Sequence, residues 1–306
     1  ELGSVYESLL DLRPTFSSLS ERGEERDFRL IAGSERKQTG SYYTPPELVR
    51  ELIESALVPV IEERLAAART PEEKEQALLS LKICDPASGS GHFLLAAARR
   101  RGRELAKVRT GEAEPAPEAY RLAVRDVIRS CIYAVDKNPL AVDLCKVALW
   151  IEGHYAGMPL SFLDHHIKCG DSLVGVFDLT VLRTGIPDEA YQPVTGDDRK
   201  VATHLRRLNQ RRSLDYAEEL PEAPPDFARE FSALALLDER TADDVRTKEE
   251  LYAQLHDREG AWWTWRRACT LWTAAFFAPL VENAPRRFSG SLAPLTEDVH
   301  RALAQP

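Results

Sequence analysis

The chain has 306 residues, 43% of them hydrophobic and 29% charged, a composition that belongs to globular proteins and is long enough for one large domain or two smaller ones. Lys and Arg total 40 against 49 Asp and Glu, a net charge of −9, which argues against indiscriminate coating of nucleic acid but leaves room for a local basic groove. No apolar run approaches ~18 residues, and no signal-peptide pattern marks the start, so a membrane-spanning or secreted reading has no support.

Residues 1–36 read as a mixed helical and loop segment. The stretch LGSVYESLLDL carries apolar residues at Leu2, Val5, Tyr6, Leu9 and Leu10, a helical stripe, and a charged stretch follows. In KQTGSYYTPPELVRELIESALVPVIEERLAAA, Thr44 suits an N-cap, Pro45 the first helical position and Glu47 a capping box. Leu48, Leu52, Ile53, Ala56, Leu57 and Val60 then give one apolar face. Thr70, Pro71 and Glu73 repeat the start signal for a second helix.

LKICD is a short buried strand. GHFLLAAARRRGRELAKVR and YRLAVRDVIRS are helices, CIYAVD a second strand, NPLAVDLCKVALWIEGHY a helix and HHIKCGD a third strand. Strands alternating with helices predict a parallel, doubly wound α/β sheet. Beyond about Val176 the pattern turns to loops and mostly helical segments up to residue 306. The predicted organisation is therefore an N-terminal helical segment over 1–36, a Rossmann-like half-domain over 37–177, and a helical insertion over 178–306.

Five cysteines, Cys84, Cys131, Cys145, Cys169 and Cys269, form no C-x-x-C pair and are odd in number, so reduced thiols in a cytoplasmic protein are the simplest account. The first residue is Glu1 and the one methionine is Met158, which suggests a fragment of a longer chain.

The strongest pattern is a recurrence: Asp85, Asp136 and Asp171 each close a predicted strand of one parallel sheet. In open α/β sheets the ligand crevice lies outside the carboxyl ends of the strands. A single such Asp is commonplace, since Asp also caps helices and turns. Three in succession, the first followed by the Gly-containing turn DPASGSGHF, point to a ligand. A P-loop is excluded because His92 and Phe93 stand where Lys and Ser/Thr belong. A dinucleotide fingerprint fails for want of a third glycine. A site rich in acid and poor in lysine favours a ligand with an ammonium group and ribose hydroxyls over a pyrophosphate. S-adenosyl-L-methionine carries both.

GSYYTPPELV, DPASGSGHFLLAA, IYAVDKNPLAVDLCKVALW and IKCGDSLVG resemble the first four motifs of the γ-class N6-adenine DNA methyltransferases. The likeness is to type IIG restriction–modification enzymes and to methyltransferases of phage-defence systems such as BREX and DISARM. The resemblance implies a class I methyltransferase sheet of Rossmann-like type, incomplete in this chain, that binds S-adenosyl-L-methionine. Asp85 would take the methionine ammonium, with Ala87, Gly89 and Gly91 beside it. Asp136, followed by Lys137, would take the ribose diol, and Asp171 with Ser172 the adenine amino group. Gly40, Tyr43, Thr44 and Pro45 would close over the methionine end. The implied partners are double-stranded DNA and the remainder of the same polypeptide or other defence-system subunits.

The family's catalytic Asn-Pro-Pro-aromatic motif is absent from residues 1–306, so no catalytic residue is assigned, and the fragment alone is expected to be inactive. Without the strand that carries the motif, the strand ending at Asp85 should form an exposed sheet edge. Competing readings are a methyltransferase acting on protein or RNA and a non-catalytic specificity or scaffold subunit. Two basic clusters, Arg99–Arg103 and Arg206–Arg212, could meet phosphates. Trp262, Trp263, Trp265 and Trp272 could stack on bases, although their helical spacing favours packing. His165-His166 lacks accompanying ligands at metal spacing, and no metal is assigned.

Overall fold

The computed structural model describes residues 12–16, 28–32, 44–212, 220–282, 288 and 291–304. It divides by contacts into two compact units, one of residues 1–172 with 235–246 and the other of 173–234 with 247–306.

The first unit opens differently from the helical expectation. β1 (Leu12–Phe16) and β2 (Phe28–Ala32) pair antiparallel, with Leu12 opposite Ala32 and Phe16 opposite Phe28. The stripe that suggested a helix, Leu2 to Leu10, lies outside the described residues, as does the charged stretch before Phe28. Pairing between segments this far apart is a tertiary event that local periodicity does not report. Pro14 within β1 has no N–H to donate, which fits a strand of a two-stranded ribbon with open edges.

A long helical stretch follows as α1 (Pro46–Leu52), a π-helical turn (Ile53–Leu57) and α2 (Val58–Ala67). The expected Thr44 cap is corrected by one residue. Pro45 occupies the cap position at φ −54°, ψ 138°, without a side-chain cap bond, and Pro46 is the first helical residue. The second proline is the cause, because the residue before a proline is pushed out of the helical region. The π turn also has a local cause. Pro59 cannot donate to the carbonyl four residues back, and a wider turn relieves the clash of its ring. The turn rotates the face that is buried, so Val49, Ile53, Val58 and Ile61 reach the interior while Leu48 and Leu52 stay exposed. α3 (Pro71–Ser80) starts as its sequence predicts. The Thr70 hydroxyl accepts from Glu73 N at 3.2 Å and Glu73 Oε2 accepts from Thr70 N at 3.2 Å.

β3 (Ile83–Asp85), α4 (His92–Thr110), α5 (Pro117–Cys131), β4 (Ile132–Asp136), α6 (Pro139–Glu152) and β5 (Ile167–Cys169) form the expected alternation. The sheet is parallel throughout, in the order β3-β4-β5, with Asp85 opposite Ala134 and Asp136 opposite Cys169. Among the described residues nothing pairs on the outer side of β3, which is the exposed edge the sequence led us to expect. Leu78, Leu94, Leu105, Ile128, Ile132 and Leu149 anchor the core under the sheet. α4 and α5 approach so closely at Gly102 that a Cβ there would lie 2.5 Å from Val124 Cγ2 and 2.9 Å from its Cα. Residues 235–246 join this unit through α5, where Arg125 donates to the Glu239 carbonyl at 3.0 Å and Arg129 to that of Leu237 at 2.8 Å.

The second unit contains α7 (Val181–Thr184), a 3-10 turn (Asp188–Tyr191), α8 (Arg199–Arg212), α11 (Ala261–Ala275) and α12 (Thr296–Ala304). α9 (Phe227–Leu236) and α10 (Ala242–Leu255) run across the division of the chain. Leu182, Tyr191, Leu205, Trp265, Leu295 and Val299 form its core. Several of its polar side chains are tied to backbone. Asn209 donates to Ile186 O at 2.9 Å and accepts from Thr296 N at 2.7 Å, Tyr191 donates to Pro294 O at 2.7 Å, and Trp272 to Gly185 O at 2.9 Å. No helix among the described residues is long and apolar enough to cross a membrane.

Candidate functional site

The three acids meet at one end of one sheet. Asp85 and Asp136 end β3 and β4, and Asp171 stands two residues past the end of β5. Parallel register places Ala134 beside Asp85 and Cys169 beside Asp136, so each next acid lies two residues beyond its neighbour's partner. A step of two preserves the side of the sheet, and all three acids follow the carboxyl edge.

A web of short bonds holds the three turns together. Asp85 Oδ1 accepts from Ala87 N at 3.0 Å, which bends the chain after β3. Ser88 N donates to Val135 O at 3.1 Å and Gly91 N to Ser88 O at 2.8 Å. Asp136 accepts from Gly89 N with Oδ2 and from Asn138 N with Oδ1, both at 2.8 Å, joining the turn after β3 to that after β4. The turn after β5 is tied in by Gly170 N to Asp136 O at 2.9 Å, by Lys137 Nζ to Asp171 Oδ2 at 3.2 Å, and by Ser172 Oγ to Pro86 O at 2.6 Å.

The two glycines have different reasons. Gly89 has φ +51° and nothing within 4 Å of where a Cβ would stand, so its backbone faces open space that a ligand can approach. Gly91 has φ +86°, and a Cβ there would press on Cys145 Sγ of α6 at 2.7 Å, so it serves close packing. Gly91 is also the N-cap of α4 and supplies no side-chain cap bond, which leaves first-turn N–H groups facing the same turn.

Burial pushes the Asp85 carboxyl above its ordinary range. The Ala87 N–H opposes that rise and the negative charge of Asp136 adds to it. A cation brought to this position would relieve the strain on the ionised form. Cys145, buried beneath the turn, is raised to about 12, chiefly by burial, and is a neutral packing thiol.

Gly40 and Tyr43 lie outside the described residues. Thr44 and Pro45 stand at the start of α1, and no hydrogen bond joins them to the turns of the three acids. A feature the sequence did not single out is an apolar groove of about 480 Å³ along the free edge of β3, lined by Leu52, Ala56, Val60, Leu81, Ile83 and Phe93 and reaching Asp85. Its signal was present: the α1–α2 stripe is wider than one buried face, and the surplus residues line the groove.

The Arg99–Arg101 run, the tryptophans of α11 and the histidine pair resolve into structure. Arg99 pairs with Glu152 at 2.6 Å, Arg100 with Glu104 at 3.5 Å, and Arg101 is fully buried, donating to the Leu81 carbonyl. Trp265 is buried, Trp262 packs 4.0 Å from the His256 ring, and Arg266 lies over Trp262 and Trp263. His165 and His166 are buried with ring centroids 3.9 Å apart, His166 lying 4.0 Å from Tyr133.

Comparison with known proteins finds similarity over the same segment. Residues 26–173 match the N-6 DNA Methylase family model. A protein of Methanocaldococcus jannaschii assigned as a type II restriction enzyme and methyltransferase is 26% identical over 216 residues, covering 58% of this chain and 16% of that protein. The adenine-specific methyltransferase PglX of Streptomyces coelicolor is 30% identical over 146 residues, covering 45% of this chain and 10% of that protein. The chain thus spans only a small part of the length of either relative. No solved structure matches it.

Proposed function

We propose, from the match of residues 26–173 to the N-6 DNA Methylase family model, that this chain is the S-adenosyl-L-methionine-binding portion of a DNA adenine methyltransferase of restriction–modification or phage defence. The observation that carries the reading is the convergence of Asp85, Asp136 and Asp171 on the carboxyl edge of one parallel sheet, around the open backbone at Gly89.

The donor set suits that cofactor. Asp85, raised by burial, gains most from an ammonium group. Asp136 already accepts two backbone N–H bonds, and a carboxylate has about four lone-pair sites, so two remain for a pair of ribose hydroxyls. Asp171 accepts from the adenine amino group once Lys137 yields its place, with Ser172 holding the loop to Pro86. Gly89 lets the backbone approach the methionine part, while Gly91 seats the turn on α6. Ala87 fixes the Asp85 rotamer through its N–H. Thr44 and Pro45, at the start of α1, are the described residues that would close the methionine end.

The cofactor supplies an electrophilic methyl group on a sulfonium, and the target base leaves the duplex to reach it. The chain's residues bind and orient; positioning and electrostatics then lower the barrier. The Asn-Pro-Pro-aromatic sequence that would hold the adenine amine does not occur in residues 1–306. In this reading a further strand bearing it pairs with the free edge of β3 and covers the apolar groove.

Titration calorimetry of the intact protein tests the proposal. S-adenosyl-L-methionine should bind, and Asp136→Ala should weaken it about a hundredfold, a change of about 2.7 kcal/mol. Absence of binding by the intact protein, with the fold preserved, sinks the reading in favour of a scaffold.

A further inference from the structure

α8 is the most one-sidedly charged element of an acidic chain. Its fourteen residues contain Arg199, Lys200, Arg206, Arg207, Arg211 and Arg212 and no acid, while the chain carries a net charge of −9. Its apolar side is committed: Val201, Ala202, Leu205 and Asn209 are buried in the second unit. The opposite side is therefore held in a fixed direction by the core and is not free to roll.

Helix geometry sorts the cations into two rows. Lys200, His204, Arg207 and Arg211 follow one another at spacings of four, three and four residues, one straight exposed stripe roughly 16 Å long at 1.5 Å per residue. Arg199, Thr203, Arg206 and Gln210 form the neighbouring row. There Arg206 approaches Asp188 at 3.9 Å and Gln210 donates to Asp188 at 2.8 Å. Acids near the helix are therefore engaged with that second row or with the backbone, as when Asp198 Oδ1 accepts from Lys200 N at 2.6 Å. Lys200, Arg207 and Arg211 make no ion pair with any described residue.

We infer that the Lys200–Arg207–Arg211 stripe of α8 is a contact for the phosphate backbone of duplex DNA. This rests on the function proposed above and adds where the polyanion lies on the chain. The occupant follows from charge. Cations repeated along one rigid line match a polymer with one negative charge per ~1.7 Å of axis, and each neutralised phosphate releases condensed counterion. An anionic membrane would call for an apolar face turned outward, and here that face is buried. Arginine and lysine on phosphates position a protein on the duplex without reading its sequence, so the stripe contributes affinity and not recognition.

The test is duplex binding by the intact protein, measured by fluorescence anisotropy across a salt series, with Lys200→Gln, Arg207→Gln and Arg211→Gln combined. The expected result is a log affinity against log salt slope that is shallower by about 3, with affinity at low salt falling at least tenfold alike on every sequence. The Arg207→Lys, Arg211→Lys variant keeps the charge and should retain the wild-type slope, which separates loss of charge from loss of fold. Calorimetric binding of S-adenosyl-L-methionine should be unchanged in both. If the wild-type protein binds the cofactor and the duplex and the triple Gln variant keeps the full slope, the stripe inference is overturned and the proposed function stands. If the wild-type protein binds the cofactor but no duplex, both fail. Loss confined to heparin, with duplex binding intact, also overturns the stripe inference.

Discussion

The two units use polar chemistry in opposite ways. In the first, Asp85, Asp136 and Asp171 collect at the open end of a parallel sheet, and Asp85 and Asp136 keep acceptor capacity beyond the backbone bonds they make. In the second, Asn209, Tyr191 and Trp272 each close on a carbonyl or amide of the same unit. Polar groups that converge without being used up mark a place for a ligand, whereas groups that are fully paired mark a fold being held in shape. The contrast predicts that variants in the first group change ligand affinity more than stability, and that those in the second do the reverse.

Asn209→Ala should show the largest effect. It leaves the Ile186 carbonyl and the Thr296 N–H without partners in a buried place, at a cost of about 2–5 kcal/mol. Denaturant midpoints should fall while the affinity for S-adenosyl-L-methionine stays at the wild-type value. A Kd that moves with the midpoint would break the contrast. Asp136→Ala comes next, with the hundredfold loss of cofactor affinity given above and a smaller loss of stability, about 1–2 kcal/mol, from the part-buried Gly89 and Asn138 N–H groups. If its stability loss exceeds its binding loss, Asp136 is a turn-builder before it is a ligand group.

Thr70→Ala sharpens the comparison from inside the first unit. The capping box of α3 lies fifteen residues before Asp85, and its hydrogen bonds stay within residues 69–73. Its removal should cost about 1 kcal/mol, seen as a lower thermal midpoint, with no change in cofactor affinity.

These contrasts were only partly legible in the sequence. The α/β alternation, the acids that end β3 and β4 and the Thr70 capping box are local patterns that the structure keeps, whereas the third strand stops at Cys169, two residues short of Asp171. Thr44 misled because the cap signal was read without the constraint that Pro46 places on Pro45. The buried face of α1–α2 was displaced because Pro59 forces an extra-wide turn that a 3.6-residue period does not contain. β1 and β2 were missed because a strand pair across a long connection is decided by its partner and not by its own spelling. The distinct duties of Gly89 and Gly91 were out of reach for the same reason, since Cys145 lies more than fifty residues from either in the chain.

The smallest expected effect concerns Asp85 in the unliganded protein, and its sign separates a ligand site from a structural acid. The folded carboxyl titrates above 3.8 because burial disfavours its charge. Below 3.8 the group is protonated in both folded and unfolded states and costs nothing; as pH rises through the folded value, the folded state must ionise a buried acid and loses stability. Asp85→Asn keeps an oxygen for the Ala87 N–H and removes the charge. At pH 7 the variant should therefore melt no more than a few degrees higher than wild type, and the gap should close as pH falls toward 3.8. With S-adenosyl-L-methionine added the order should invert, because wild type gains RT ln(1 + [L]/Kd) and the variant, lacking the charge that holds the ammonium, gains little. Melting curves with and without cofactor, at pH 7 and near pH 4, check both halves. A variant less stable than wild type at pH 7 without ligand would make Asp85 part of the scaffold, and the carboxyl edge of the sheet would then be built for folding and not for a cofactor.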